Sequence, residues 1–558
     1  MWARLPNAAL RSLRPRAHRT VLFSRRYNGQ AQQGPPKTYF QPEPQPVKPR
    51  RRILRSVLLG TTFFVTGFYV HAYLAEAFLI DEEAQALPVG EELLSAVVGE
   101  LAAKTVVPQT VESATAVLQA RAGYSVTPTA VGHTCQSASN IPCEDTWSSG
   151  TYTYANDPAK DWSEWAIFDG HAGPRTSQLL KEILPSVVGD KLYEAGCINR
   201  PYVANDQQIV RTIQDAFKYV DEHVLFGEAT QHLVDGDMSR AELVSLAANM
   251  LSGSCALMAL FDPTKGVLRV ANTGDSRAVL GRWEGGKYVA HAMSNDHTGF
   301  NQDEVARLRE EHPGEDVVDE KTGRVFGIAV TRAFGDSRWK WPEDLTRRVH
   351  EMFFGPAPRP NGVVKTPPYL TAEPEVQETK IQTGEHPDFL IMASDGLWDQ
   401  MSNQDAVTCV QMWLEQNNPT AFIKDLKEKA KALEVGLPGT SLPGMPMPGN
   451  TPPPNPFAQV EEDTDPETYY DAEEKCLKWR VSPKHFVVED DNAGMHLIKN
   501  ALGGRRRRLF EAVMTVQPPL SRNVRDDITV HVVFFGVDAG EGVEDIRGAG
   551  LEMGGKMR

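Results

Sequence analysis

An apolar segment of the chain ends in a carboxylate and an imidazole, within the sequence WAIFDGHAG from Trp165 to Gly173. Asp169 would be held rigidly at the end of a strand, and His171 can exchange protons near neutral pH. These residue types suit one corner of a metal-assisted active site. They equally suit a strand followed by an Asp-Gly turn that has no chemical role. The segment alone does not distinguish a metal site from a turn, because a metal site requires further carboxylates.

Further acidic residues occupy similar positions, at or beside the ends of apolar segments. They are Glu144 and Asp145 in CEDTW, Asp275 in NTGDSR, Asp395 in ASDGLWD, and Asp526 and Asp527 in VRDDIT. Each one alone is explained by an exposed loop, a cap or a turn. Gathered at one edge of a sheet, however, their carboxylates would repel one another strongly unless a cation lay between them. Oxygen ligands favour Mg²⁺ or Mn²⁺, and the lack of clustered Cys or His disfavours zinc.

Two such ions could share one carboxylate and one water and lower the pKa of that water. This chemistry predicts hydrolysis of a phosphoester by in-line attack on phosphorus. His171, two residues after Asp169, is the candidate general acid that protonates the leaving oxygen.

The elements that must position these residues alternate between strands and helices. Strand candidates, rich in apolar residues and bounded by Gly or Asp, are 165–170, 254–262, 267–275, 277–283, 388–396 and 527–535. Apolar spacing and capping residues predict helices at 206–227, 301–312 and 402–416. The short link in VANTGDSRAVLG predicts a hairpin in an antiparallel sheet. Long helices need a sheet face to cover, so the sum is a layered α+β domain.

The N-terminal region has the composition of a mitochondrial membrane protein. Residues 1–27 contain seven arginines and no acidic residue, which is typical of a mitochondrial presequence. After a Pro/Gln-rich linker with a basic flank at 28–55, residues 56–75 carry no charge and are long enough for one transmembrane helix. Basic residues precede this span and acidic residues follow it. We therefore expect an inner-membrane protein with its body in the intermembrane space, although a body in the matrix is also compatible.

The remaining chain is expected to hold a helical spacer at 76–125, a catalytic domain at 126–537 and a flexible tail at 538–558. A Pro-rich and then acidic insertion at 437–475 is expected to be a loop, because proline at that density excludes helix and central strand. The net charge is −15, and the acidic body argues against a nucleic-acid partner. The six cysteines have no paired spacing, so we expect free and mostly buried thiols.

Eight ordered segments identify a family resemblance over about residues 137–535. They are IPCEDTW, FDGHAG, SGSCALMAL, ANTGDSRAVLG, TRAFGDSRWK, YLTAEPEV, IMASDGLWD and RDDITVHVVFF. Together they resemble the metal-dependent serine/threonine protein phosphatases of type 2C. NQDEVARLREEHP, PPYLTAEPEV, NAGMHLIKNALGG and RDDIT look like the mitochondrial pyruvate dehydrogenase phosphatase branch in particular.

The resemblance implies a four-layer α-β-β-α sandwich of two antiparallel sheets flanked by helices, with a centre of two Mg²⁺ or Mn²⁺ ions and a more loosely held third. Its implied metal-binding residues are Asp145, Asp169 as the bridging ligand, the Gly170 carbonyl, Asp395, Asp526, Glu144 through a water, and Asp275 for the third ion. His171 would be the general acid. Asp527 stands where the family often has Asn, so no ligation is assigned to it.

One departure concerns the substrate phosphate. Many relatives have an arginine four residues before the glutamate of the ED pair, and here that residue is Asn140. The pyruvate dehydrogenase phosphatase branch is similar in having Asn there. Activity is therefore still expected, and Arg175 is an open candidate for compensation.

Three functions are compatible with these residues. The first is an active phosphatase for phosphoserine and phosphothreonine proteins, with pyruvate dehydrogenase as a possible substrate. The second is a catalytically silent phosphoprotein-binding scaffold of the same fold, against which the full set of repelling aspartates argues. The third, a nucleotide phosphohydrolase, is weakened by the lack of a G-x-x-x-x-G-K-[ST] loop and of a basic groove.

Overall fold

The structure, a computed structural model, describes residues 108–152, 160–198, 205–360, 362–422, 467–471 and 476–536. Its larger sheet has six strands, in the spatial order β1 (Gly123–Val126), β2 (Ala130–Ser137), β18 (Ile528–Phe535), β15 (Phe389–Ala393), β9 (Arg277–Glu284) and β10 (Lys287–Ala292). Every neighbouring pair in this sheet is antiparallel.

The second large sheet has five antiparallel strands. Their order is β14 (Glu375–Lys380), β8 (Val267–Thr273), β7 (Ala256–Asp262), β4 (Trp162–Phe168) and β3 (Thr146–Tyr152). A small sheet beside it consists of β13 (Phe334–Gly335), β6 (Gly253–Ser254) and β5 (Gly170–His171). Two-stranded pairs are β11 (Val318–Asp319) with β12 (Arg324–Val325), and β16 (Thr468–Asp471) with β17 (Cys476–Trp479).

Helices connect and cover the strands. The α-helices are α1 (Val111–Gln119), α2 (Arg175–Glu194), α3 (Asp206–Tyr219), α4 (Glu228–Asp235), α5 (Arg240–Leu251), α6 (Gln302–Glu311), α7 (Ser337–Lys340), α8 (Glu343–Phe353), α9 (Asp395–Trp398), α10 (Asn403–Leu414), α11 (Ala493–Ala501) and α12 (Arg507–Thr515). A π-helix spans Val220–Gly227, and 3-10 helices span Pro483–His485 and Leu520–Asn523.

The alternation of side chains along β4 shows how the layers form. Successive residues of a strand point to opposite faces of the sheet. Trp165 and Ile167 accordingly pack between the two sheets with Leu390 of β15, whereas Ala166 and Phe168 pack outward against α2 and α3.

The outer face of the six-stranded sheet is covered in the same way. Val530 and Val532 of β18 share a core with Val407 of α10 and Leu497 of α11. The layers therefore run helix, sheet, sheet, helix, and the sequence expectation of two antiparallel sheets flanked by helices is confirmed.

The predicted hairpin in VANTGDSRAVLG is wrong. β8 lies in the five-stranded sheet and β9 in the six-stranded sheet, so the link between them crosses from one sheet to the other. The sequence pattern of two strands joined by a short link is the same in a hairpin and in a crossing between sheets. In both arrangements each strand buries one face between the two sheets. The crossing has a consequence for chemistry, because it carries Asp275 to the end of the sandwich.

Most predicted helices are present with their caps. Ser402 begins α10 by accepting a hydrogen bond from the backbone N–H of Asp405, and Asn301 caps α6 in a similar way. Asn205 caps α3, but the predicted helix 206–227 changes at Val220 into the π-helix.

The segments before and inside the catalytic domain differ from expectation where the structure describes them. Helix α1 buries Ala114 and Leu118 in the core, and β1 is an edge strand of the larger sheet, so residues 108–126 are packed rather than a helical spacer. The end of the 437–475 insertion contributes strand β16 rather than a loop.

Residues 1–107, 437–466 and 538–558 lie outside the described residues, and with them the presequence, the linker, the span at 56–75 and the tail. No helix of the described ranges is long and apolar enough to cross a membrane. The five cysteines whose side chains are described are free thiols, and four of them are buried.

Candidate metal centre

Three carboxylates from distant parts of the chain meet at one end of the sandwich. One oxygen from each of Asp169, Asp275 and Asp395 lies within 4.8 Å of the others. Asp169 follows β4, Asp275 lies in the crossing from β8 to β9, and Asp395 begins α9 directly after β15. Both sheets therefore contribute to this cluster, which we call the three-aspartate cluster.

The electrostatics of the cluster favour a cation. Burial raises the pKa of Asp169, and the charges of Asp145, Asp395 and Asp275 raise it further. The Oδ2 atom of Asp169 is buried and has no hydrogen-bond partner among the described residues. Burial is also the main cause that raises the pKa of Asp395 and of Asp275. A divalent cation would remove this repulsion and give the buried oxygen a partner, so the donor set fits Mg²⁺ or Mn²⁺.

Asp145 lies beside the cluster and is 3% exposed. The hydroxyl of Thr529 in β18 donates a hydrogen bond of 2.8 Å to its Oδ2 atom. Burial, followed by the charge of Asp527, raises the pKa of Asp145 to about 7. Its charge in turn raises the pKa of Asp169 and of Asp395, which shows that these carboxylates act on one another.

The backbone of Glu144 lies close to the backbone of Gly170. A Cβ atom at Gly170 would lie 2.3 Å from the carbonyl oxygen of Glu144, so only glycine permits this approach. The Glu144 carboxylate accepts hydrogen bonds from the N–H of Gly173 at 2.6 Å and from the side-chain amide of Asn140 at 3.1 Å. The loop that carries Glu144 is thereby fixed against the segment that follows Asp169.

Asp526 is not part of the three-aspartate cluster. Its carboxylate forms an ion pair with the guanidinium of Arg522, which lies in the 3-10 helix Leu520–Asn523. Its Cβ atom is nevertheless 3.1 Å from the position that a Cβ atom would take at Gly396, directly after Asp395. Asp526 thus borders the cluster, and its carboxylate contacts Arg522 and accepts a hydrogen bond of 2.6 Å from the N–H of Asp527.

Asp527 holds the loop that leads to Glu144. Its Oδ1 atom accepts hydrogen bonds from the N–H groups of Ser139 and Asn140 at 2.5 and 3.0 Å, and its Oδ2 atom accepts one from Glu144 N–H at 2.8 Å. Burial alone would raise the pKa of Asp527, but these donors lower it below the usual value. Both carboxylate oxygens of Asp527 are thus engaged by the loop.

His171 has a partner that sequence reasoning missed. Its Nε2 atom lies 2.6 Å from Oδ2 of Asp336, whose side chain is 2% exposed. Burial alone would lower the pKa of His171, but the charge and hydrogen bond of Asp336, with the charges of Asp275 and Glu144, raise it. Gly253 makes room for the pair, since a Cβ atom there would lie 2.2 Å from either side chain. Asp336 stands in the quoted segment TRAFGDSRWK, but that segment alone does not indicate a pairing with His171.

Comparison with known proteins identifies the family. The family model described as protein phosphatase 2C matches residues 129–436, more than half of the chain. The chain belongs to the protein phosphatase 2C family. This membership makes it a protein serine/threonine phosphatase, and phosphatases of this family depend in general on Mg²⁺ or Mn²⁺.

The matches between this phosphatase 2C chain and named relatives cover different shares of each relative. A protein phosphatase 2C homologue of Schizosaccharomyces pombe is 37% identical over 72% of this chain and 79% of the relative. Mitochondrial pyruvate dehydrogenase (acetyl-transferring)-phosphatase 1 of Saccharomyces cerevisiae is 34% identical over 68% of this chain and 62% of the relative. The phosphatase 1 of the same name in Homo sapiens is 33% identical over 51% of this chain and 48% of the relative. The match thus spans about half of the human relative.

Proposed function

We propose that this phosphatase hydrolyses phosphoserine and phosphothreonine in proteins at a centre built on the three-aspartate cluster. The observation that carries the proposal is the convergence of Asp169, Asp275 and Asp395, with a buried oxygen of Asp169 that lacks a described partner. Asp145, Asp526, the Gly170 carbonyl and, through a water, Glu144 would complete the ligand set for two cations, with Asp275 serving a third. Bound cations would supply Lewis-acid activation of water and charge neutralisation of the phosphoryl group.

His171 would hold the proton for the leaving oxygen. Its raised pKa keeps the imidazole protonated up to a higher pH. A protonated imidazole can donate from Nδ1 while Nε2 contacts Asp336. Asp336 would act as the positioning residue that fixes the ring. Asp527 would position Glu144 and Asp145 through the loop hydrogen bonds, so that their oxygens stay directed without reorganisation.

Release of phosphate from a phosphoserine peptide by the full-length protein tests this function. We expect activity with Mn²⁺ and none with EDTA. Asp169→Asn and Asp395→Asn should abolish turnover while the folded state persists, as measured by circular dichroism. Turnover that is retained in either variant would refute the metal assignment, and phosphopeptide binding without turnover in the wild type would favour a scaffold.

The proposed physiological substrate is phosphorylated pyruvate dehydrogenase. Two of the relatives named above carry that substrate in their names, which supports the proposal. The full-length protein should dephosphorylate the purified phosphoenzyme with a higher kcat/KM than a phosphopeptide of unrelated sequence. Equal values for the two substrates would contradict this assignment.

We further propose a mitochondrial location, with residues 56–75 as an anchor in the inner membrane. The arginine-rich N-terminus and the mitochondrial relatives support it. The charged flanks of the span favour a body in the intermembrane space, whereas a pyruvate dehydrogenase substrate favours the matrix. Protease treatment of mitoplasts distinguishes the two orientations, because a body in the matrix survives the treatment and a body outside it is digested.

A further inference from the structure

A guanidinium lies at the edge of the candidate metal centre, outside the set of residues expected from the sequence. Arg522 forms its ion pair with Asp526 while 42% of its side chain stays exposed. The guanidinium therefore contacts one of the proposed ligands and is still exposed to solvent, from which a substrate phosphate would arrive.

The position that holds an arginine in many relatives cannot supply positive charge here. Asn140 is neutral, and its side-chain amide already donates to Glu144 at 3.1 Å and to Asp527 at 3.4 Å. An amide engaged in this way adds little attraction for a doubly charged phosphate. The chain needs a different cationic group if a side chain is to bind the phosphoryl oxygens.

Arginine is suited to that task, because its planar group presents several N–H donors that match phosphate oxygens in pairs. The contact with Asp526 keeps this group at the edge of the candidate centre. A cation that binds Asp526 would replace Arg522 as the partner of that carboxylate. The guanidinium would then be available to a ligand without a large movement of the backbone.

We propose that Arg522 binds the substrate phosphate in this chain and takes over the task that Asn140 cannot perform. The proposal rests on the proposed phosphatase function. Arg175, the other candidate, is exposed at the start of α2 and forms no ion pair or side-chain hydrogen bond with the described residues. Nothing in the structure holds it against a proposed ligand, which makes it the matched control.

Inorganic phosphate is the probe for the test, with Arg522→Ala, Arg522→Gln and Arg175→Ala in the full-length protein. Calorimetric titration with Mn²⁺ present measures phosphate binding, and steady-state kinetics give the inhibition constant of phosphate and the KM of a phosphoserine peptide. We expect both Arg522 variants to weaken phosphate binding and raise both constants by about 10-fold or more, the usual effect of losing a charge-assisted hydrogen bond. Arg175→Ala should match the wild type.

Binding of Mn²⁺ separates this role from a structural one. Loss of the arginine removes a competitor for Asp526, so Mn²⁺ should bind the Arg522 variants at least as tightly as the wild type. Unchanged phosphate binding in the Arg522 variants, or an equal loss in Arg175→Ala, would overturn the proposal. If Arg522→Ala does not fold, Arg522→Gln decides by the same criteria. A wild-type protein without phosphatase activity would instead refute the proposed function.

Discussion

Replacement of Asp145 by asparagine should change how the stability of the cation-free protein depends on pH. Burial and then the charge of Asp527 raise the pKa of this carboxyl from 3.8 to about 7. The unfolded chain releases the proton near its ordinary pKa, whereas the folded protein keeps it until about pH 7. The folded state therefore loses stability as pH rises between these two values.

The size of the effect follows from the shift. At about 1.36 kcal/mol for each pH unit, this carboxyl lowers the free energy of unfolding by roughly 3 kcal/mol between about pH 5 and about pH 8. Asparagine carries no proton to release. In EDTA, the free energy of unfolding should thus fall by about 3 kcal/mol more in the wild type than in Asp145→Asn over this range.

Urea denaturation followed by circular dichroism measures both slopes. In EDTA at about pH 8, Asp145→Asn should be more stable than the wild type. Saturating Mn²⁺ should make the wild type the more stable of the two, because the cation binds its ionised carboxylate and stabilises the folded state by mass action. Asp388→Asn is the matched control, since Asp388 is a buried aspartate that pairs with Arg282 at 2.7 Å. This control should be destabilised with and without Mn²⁺. Parallel pH slopes for the wild type and Asp145→Asn would refute the reasoning.

Three further substitutions test the parts of the site. His171→Ala should lose activity toward a phosphoserine peptide by about 100-fold or more and much less toward p-nitrophenyl phosphate, whose leaving group needs little protonation; equal losses in the two assays would reject the general acid. Asp336→Asn should move the alkaline limb of the pH–rate profile to lower pH, because the carboxylate raises the pKa of His171; an unmoved limb would exclude the positioning role. Asp527→Ala should lower the free energy of unfolding by about 1–3 kcal/mol, because the loop N–H groups lose their acceptor. The same change should weaken Mn²⁺ binding in calorimetric titration. Unchanged Mn²⁺ affinity would show that Asp527 does not position the ligands.

The sequence was sufficient for those parts of the fold that depend on local patterns. Strand β4 was predictable because Trp165 to Phe168 are apolar and are followed by an Asp-Gly pair, and α10 was predictable because Ser402 can cap it. The sheet to which β8 and β9 belong was not predictable, since both strands have the same pattern and the link is equally short in a hairpin and in a crossing. Only the packing of the two sheets decides between them.

The candidate site was predictable to the extent that strand ends carry carboxylates. Asp169, Asp275 and Asp395 were expected to converge, and they do. Asp336 could not be assigned a role from sequence, because 165 residues separate it from His171 and its pairing depends on the close approach of Gly253. Arg522 was missed for a related reason. Its proposed role depends on the carboxylate that it contacts rather than on any pattern in the residues next to it in the sequence.

Anomalous scattering from crystals of the full-length protein grown with Mn²⁺ would test the central claim most directly. We predict manganese peaks within bonding distance of carboxylate oxygens of Asp169 and Asp395, and loss of those peaks in Asp169→Asn. An active protein whose crystals show no manganese at the three-aspartate cluster would contradict the account.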